Sequence, residues 1–425
     1  MLNYKLQTLP NGLRLITAPL SNTKAVTVLF LVGVGSRYES KNLNGISHFL
    51  EHMFFKGTKK RPTTLDIAKS LDAVGAAYNA FTSEEHTGFF VRAAAEHFDL
   101  ALDILFDMLY GAKFAPEEVE REKGVIIEEI NMYQDTPQSY ITEVAKKLFY
   151  GDQPLGRQVT GVKETVAKFQ PQDFRAFRNR FYTPDNLIVA IAGEQNKNDW
   201  QAEIRQFFEK IALKKQADYV KVREKQTKPE LLIFQKKTDQ AHLILGFRTI
   251  PRTSKRRPIL RVLNNLFGEN MSSRLFTEVR ERRGLAYYVS SEMADFQDAG
   301  VFGASAGVDI RRAEEAVKVI LAEFNKLKTK AVLAEELKRA QENLKGKLYL
   351  GLEESFAVAE YLAEQQLFWD KIDRPEELIS KYERVTPEET RKFAQEYFVP
   401  ANLNLAMIGP FKDEGRFKKI LEGYL

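Results

Sequence analysis

The longest apolar run in the chain lies between Ala25 and Val34. It is too short to span a bilayer and reads as a buried strand. Ahead of it, Asn11-Gly12 separates Tyr4–Thr8 from Leu13–Thr17, a hairpin signal of the two-residue kind. After it the pattern turns helical from about Gly45 to Phe55, closed by Gly57, and again over Leu65–Val74, closed by Gly75. Strands are predicted near Ala77–Thr82 and His86–Ala94, then helices near Glu96–Gly111, Pro116–Tyr133 and Ser139–Tyr150, and a strand at Leu187–Ala192. Residues Lys214–Glu230 hold nine charges in seventeen positions and little periodicity, and are expected to be an exposed linker.

Beyond the linker the order of elements repeats. Ala241–Phe247 mirrors Ala25–Val34, and Ile259–Leu266 mirrors the Gly45–Phe55 helix. Val301–Val308 mirrors His86–Ala94, Glu335–Ala340 mirrors Glu117–Glu122, and Leu403–Ile408 mirrors Leu187–Ala192. A period of about 210 residues predicts two copies of one α+β domain, each a mostly antiparallel sheet with helices packed on one face. The expected division is 1–213, a linker at 214–230, and 231–425.

A chain of 425 residues suits two cores of about 200 residues each. Its net charge of +5 is mild, lysines and glutamates interleave, and no compact basic stripe points to nucleic acid. The N-terminal residues lack the charged-then-apolar pattern of a signal peptide, so a cytoplasmic protein without membrane insertion is expected. The chain has no cysteine, so any metal site must be built from histidine and carboxylate.

Such a site is written at His48-Phe49-Leu50-Glu51-His52. At about 100° per residue, His48 and His52 lie one helical turn apart with Glu51 beside them. Two neutral imidazoles at this spacing can grip one Zn²⁺ ion and leave the carboxylate free to act as base toward a water at the metal. The order reverses the H-E-x-x-H arrangement, giving the inverzincin form. In the Pro116–Tyr133 helix, Val119, Ile126, Ile130 and Tyr133 define an apolar stripe bordered by Glu122 and Glu129, seven residues apart. A carboxylate beside an apolar stripe calls for a partner. Glu129 is therefore the expected third ligand and Glu122 a supporting acid, whereas Glu128 projects to solvent. His97 and His242 are expected to be structural, and His86 is expected to be either an ordinary strand residue or a substrate-side group, since its strand should lie near the site.

His48-x-x-Glu51-His52, with 76 residues between His52 and Glu129, resembles the pitrilysin family of zinc peptidases, which includes insulin-degrading enzyme and the mitochondrial processing peptidase. Gly45-Ile46-Ser47, Met53–Thr58 and Tyr78–Thr82 agree, and the similarity, closest to short bacterial members, covers essentially the whole chain. The resemblance implies a zinc endopeptidase with one Zn²⁺ per chain and Glu51 as general base. It implies a substrate held as an added strand along Asn79, Ala80, Phe81 and Thr82. It also maps the family's substrate-binding Arg/Tyr pair onto Arg280 and Tyr287, and suggests a homodimer in which a second copy completes the site. A non-catalytic scaffold or partner subunit is the alternative, since some relatives have lost the metal residues. Their retention here, Glu51 included, favours catalysis, and a metal store or sensor would have no need of that base.

Overall fold

The computed structural model describes residues 2–195, 199–211 and 218–424. The chain forms two compact units, one from Met1–Asn131, Arg157–Val220 and Tyr349–Asp373, the other from Met132–Gly156, Lys221–Leu348 and Arg374–Leu425. This departs from the contiguous division at 213 and 231, because each unit incorporates a helix from the other half of the sequence.

The first unit is built on β1 (Lys5–Thr8), β2 (Arg14–Pro19), β3 (Ala25–Val32), β4 (Ala77–Thr82), β5 (Thr87–Ala94) and β6 (Leu187–Gly193), in the order β1-β2-β6-β3-β5-β4. Only the β2–β6 pair is parallel. The second unit repeats the plan with β7 (Glu230–Gln235), β8 (Gln240–Thr249), β9 (Ala286–Asp295), β10 (Gly300–Asp309) and β11 (Leu403–Gly409), in the order β7-β11-β8-β10-β9, where β7–β11 is the parallel pair. The expected α+β class and duplication are both present.

Val26, Val28, Phe30 and Val32 of β3 face the main helical layer, among them Ala101, Leu102 and Leu105 of the Phe98–Gly111 helix. The alternate residues Leu29 and Leu31 do not face water. With Ile16, Ile188 and Ala190 they pack on Val358, Ala359, Leu362 and Ala363 of the Ser355–Trp369 helix. Burial on both faces explains why β3 reads as a continuous apolar run instead of an alternating one. The second sheet does the same: Ile244, Val301 and Ala406 pack on Ile141, Val144 and Phe149 of the Pro137–Tyr150 helix. One helix across the second face of each sheet is thus added to the expected helical layer.

The Asn11-Gly12 hairpin is longer than a two-residue turn. Leu9 N–H donates to Leu13 C=O at 2.8 Å, so Pro10, Asn11 and Gly12 form the tip. Of the pair only Gly12 has positive φ, at 86°, whereas the type I′ turn favoured by Asn-Gly needs both central residues there. Asn11 is instead committed to an anchor, its Nδ2 donating to Phe208 C=O at 2.7 Å. Of the expected linker, 214–217 lie outside the described residues. Residues 218–229 carry no helix or strand but are tied down, with the Arg37 guanidinium 3.9 Å over the Tyr219 ring and Gln226 Nε2 donating to Leu403 C=O at 2.8 Å. No helix among the described residues is long and apolar enough to cross a membrane.

Leu362 is fully buried beneath the first sheet, so Leu362→Ala should lower the unfolding free energy by about 2–5 kcal/mol. Leu350→Ala, at a position 70% exposed, should change it by about 0.5 kcal/mol or less. Urea denaturation of the two variants checks this, and equal effects would show that the Ser355–Trp369 helix does not close the sheet.

Candidate metal centre

The helix Ile46–Phe54 carries the two imidazoles, and its placement follows from its other residues. Ile46, Phe49, Leu50, Met53 and Phe54 are buried, with Phe49 edge-on to Phe174 at 4.8 Å and Phe54 edge-on to Phe89 at 5.3 Å. The helix enters through Gly45 at φ +96°, where a Cβ would meet the Gly161 backbone at 2.7 Å. Glu39 caps it: Oε2 accepts from Gly45 N–H at 2.7 Å and Oε1 from Ser47 N–H at 2.8 Å, which meets donors the first turn leaves unpaired. Asn44 Nδ2 adds a third bond at 3.1 Å. Complete burial pushes the Glu39 carboxyl up to about 7, against these hydrogen bonds, which favour the carboxylate.

The second contributor is the helix Pro116–Asp135. Val119, Ile126 and Ile130 form its buried stripe, while Tyr133, expected there, is 40% exposed. Glu122 is buried, Glu129 half-buried and Glu128 exposed, as their angular positions require. His48 Nε2 lies 3.5 Å from Glu129 Oε1 and His52 Nε2 3.6 Å from Glu129 Oε2. The two rings are 4.7 Å apart, and the three donor groups fall within 4.8 Å of one another. Donors arranged tetrahedrally at about 2.0–2.2 Å from zinc stand roughly 3.3–3.6 Å apart. The observed separations are long for strong N–H···O bonds and fit one shared ion.

On its far side His52 presents Nδ1 to Glu122 Oε1 at 2.9 Å, and Lys56 Nζ lies 2.6 Å from Glu122 Oε2. Burial pushes the Glu122 carboxyl up, but His52 and Lys56 outweigh it and hold the group below the usual carboxylate range. Glu129 is likewise held low, first by His48 and against partial burial. Glu51 rests against β4, with Thr82 Oγ1 donating to its Oε2 at 2.6 Å.

β4 is the edge strand of its sheet, as the expected strand-addition site requires. Asn79 is exposed, and its Oδ1 takes up the Ala80 N–H at 2.9 Å. Phe81 is half-buried with its ring over Gly88, where a Cβ would meet it at 2.2 Å. Thr82, read from the sequence as a substrate contact, holds Glu51. Arg280 and Tyr287 belong to the other unit. Arg280 is exposed with its guanidinium 5.0 Å from the Phe276 ring, and Tyr287 is 76% exposed at the start of β9, the edge of the second sheet.

In the second unit the helices Arg257–Gly268 and Ala334–Gly351 stand where the first has its metal helices. The repeat that aligns Glu117 with Glu335 puts Lys347 at the counterpart of Glu129. Lys347 Nζ lies 3.4 Å from Glu269 Oε2, which also accepts from Asn265 Nδ2 at 2.9 Å. The Glu269 carboxylate thus accepts from asparagine amides and faces an ammonium where the first unit gathers imidazoles and carboxylates.

Family models match twice: the insulinase (peptidase family M16) model over residues 14–163, and the peptidase M16 inactive domain over residues 168–344. An uncharacterized zinc protease of Streptomyces coelicolor is 36% identical over 413 residues, covering 96% of this chain and 90% of that protein. YmxG of Bacillus subtilis, also described as an uncharacterized zinc protease, is 34% identical over 406 residues, covering 96% and 98%. Among solved structures, a protease from Helicobacter pylori superposes with a TM-score of 0.90 at 25% identity, over 96% of this chain and 100% of that one. A peptidase M16 inactive domain protein from Pseudomonas fluorescens, 18% identical with a TM-score of 0.88 over 96% and 99%, shares the fold.

The Glu39 cap was not singled out from sequence and gives a pH-dependent prediction. Its carboxyl moves from an ordinary value of 4.5 to about 7 on folding, so between those values the folded state holds the extra proton. The stabilisation tied to that proton is complete below pH 4.5 and is lost as pH rises through 7. Relative to Glu39→Gln, the wild type should lose on the order of 3 kcal/mol across this window in urea titrations. Parallel pH profiles for the two proteins would contradict it.

Proposed function

Because the chain belongs to the insulinase family of peptidases, M16, we propose that it is a zinc-dependent endopeptidase holding one Zn²⁺ through His48, His52 and Glu129. The observation that carries this reading is the convergence of two imidazole Nε2 atoms on the two oxygens of one carboxylate, at 3.5 and 3.6 Å. The donor set fits the metal: nitrogen and oxygen atoms only, from two imidazoles and one carboxylate held below its usual range. Bound zinc supplies a Lewis acid that polarises the scissile carbonyl and acidifies water.

Glu51 is the general base on this reading. Thr82 fixes one of its oxygens, leaving the other to take a proton from the attacking water and return it to the leaving amine. Glu122 orients His52. An extended peptide or small unfolded polypeptide adds to the free edge of β4, where its carbonyl displaces the Asn79 side chain from Ala80 N–H. Backbone pairing of this kind asks for little sequence specificity. Arg280 and Tyr287 bind the substrate backbone and stabilise the oxyanion, and their exposure on the second unit leaves them available to do so. The site is completed by a second copy of the chain in a homodimer with two equivalent sites. The lack of cysteine suits a reducing compartment, and we place the enzyme in the cytoplasm.

Glu129→Gln should weaken zinc binding while Glu128→Gln leaves it unchanged, measured as zinc content after dialysis against a weak chelator. Equal loss in both would remove Glu129 as ligand. Glu51→Gln should keep its zinc and lose at least about 10²-fold in peptide turnover. Near-normal activity in that variant would overturn the mechanism. For the homodimer, inactive Glu51→Gln protein mixed with inactive Arg280→Ala/Tyr287→Phe protein should regain activity once subunits exchange. No recovery after confirmed exchange would refute a composite site.

A further inference from the structure

Lys56 is a charged residue at the metal centre to which the reading above gives no part. It lies four residues beyond His52, one turn farther along the same face. The helix has ended at Phe54, and Lys56 N–H closes onto Met53 C=O at 3.2 Å. Gly57 then turns the chain at φ +109°, where a Cβ would strike Pro62 C=O at 2.3 Å. Thr58 N–H to Arg61 C=O at 2.7 Å, Lys113 N–H to Gly57 C=O at 3.2 Å and the Thr58–Ala112 bridge lock the turn. The ammonium is thus delivered by a braced backbone, and its side chain is only 23% exposed.

Its target is the Glu122 carboxylate, whose side chain is 2% exposed. The two oxygens are held differently: Oε1 lies in hydrogen-bond geometry with His52 Nδ1 at 2.9 Å, whereas Oε2 is held by the ion pair with Lys56 Nζ at 2.6 Å. A carboxylate can only accept, so His52 Nδ1 is the donor, and in the neutral ring the lone pair falls on Nε2, the atom turned toward Glu129. His48 has no such brace. Its Nδ1 is buried with no hydrogen-bond partner among the described residues. The orientation of the imidazole pair therefore rests on the His52 side, and that side ends at Lys56.

We propose that Lys56 is a positioning residue that pins the second oxygen of Glu122 and, through Glu122, fixes the ring and tautomer of His52 for metal binding. The proposal rests on the zinc reading above, and its test reads two quantities besides activity. The first is zinc affinity, by competition with a chromophoric chelator. Lys56→Met, which keeps most of the aliphatic stem, should bind zinc about 10–100-fold more weakly, the usual effect of losing a residue behind a ligand, and Lys56→Arg should recover most of it. Lys59→Met, which removes a neighbouring exposed charge, should bind as the wild type does. The second is the tautomer of His52 in metal-free protein at alkaline pH, from ring ¹⁵N shifts, where only five histidines need assignment. The wild type and Lys56→Arg should show a protonated Nδ1 and a bare Nε2, and Lys56→Met a mixture of tautomers. If Lys56→Met does not fold, Lys56→Gln is measured in its place and should show the same losses. Unchanged affinity and an unchanged tautomer without the ammonium would overturn the proposal while leaving zinc binding intact. A wild type that binds no zinc would overturn the zinc reading, and the tautomer would still decide the role of Lys56.

Discussion

Two carboxylates taken out of water on one face of one helix set the terms for the first unit. Glu122 and Glu129 sit seven residues apart on the Pro116–Asp135 helix, one buried and one half-buried. An ionised carboxylate in such a place costs several kcal/mol unless a cation or strong donors meet it. Glu122 is met by the Lys56 ammonium and by His52 Nδ1–H. Glu129 has the two Nε2 atoms beside it, close enough to share an ion with it. On the proposed reading its remaining demand is for a divalent cation. The Glu39 cap, the Gly45 entry, the packing of Phe49 and the Gly57 turn then serve to hold the Ile46–Phe54 helix where that demand is answered.

The second unit shows the same scaffold with the demand met internally. Lys347 replaces Glu129 in the repeat, and its ammonium lies against Glu269 among asparagine amides. A covalently attached positive charge does there what an ion is asked to do in the first unit. Both units cover their sheets on two faces and leave β4 and β9 as edge strands. Glu51 is held by Thr82 of one such edge, which couples the base to the strand proposed to receive substrate. On the proposed mechanism a single hydroxyl would keep backbone pairing and proton transfer in register.

Much of this was legible in the sequence because it depends on periodicity. His48 and His52 must share a face at four-residue spacing, and Glu129 borders an apolar stripe that Glu128 cannot reach. The duplication was legible because strands and helices recur in one order. What periodicity does not record is the surface a helix packs against. The Pro137–Tyr150 helix announces an apolar face but not which sheet receives it, and the Ser355–Trp369 helix is apolar on most sides, so a contiguous division followed. Single polar residues outside the motif were equally silent. Neither Glu39 nor Lys56 carries a pattern of its own, and only the folded chain brings one to a helix start and the other to Glu122. The Asn11-Gly12 signal located a turn but not its length, because Asn11 was needed elsewhere.

The central claim is that His48, His52 and Glu129 form one zinc site. X-ray absorption at the zinc edge of the loaded protein tests it most directly. The account predicts four nitrogen and oxygen donors at about 2.0–2.1 Å, with outer-shell scattering from two imidazole rings and no ligand near the 2.3 Å of sulfur. A six-coordinate oxygen shell, or scattering from one imidazole or none, would contradict it.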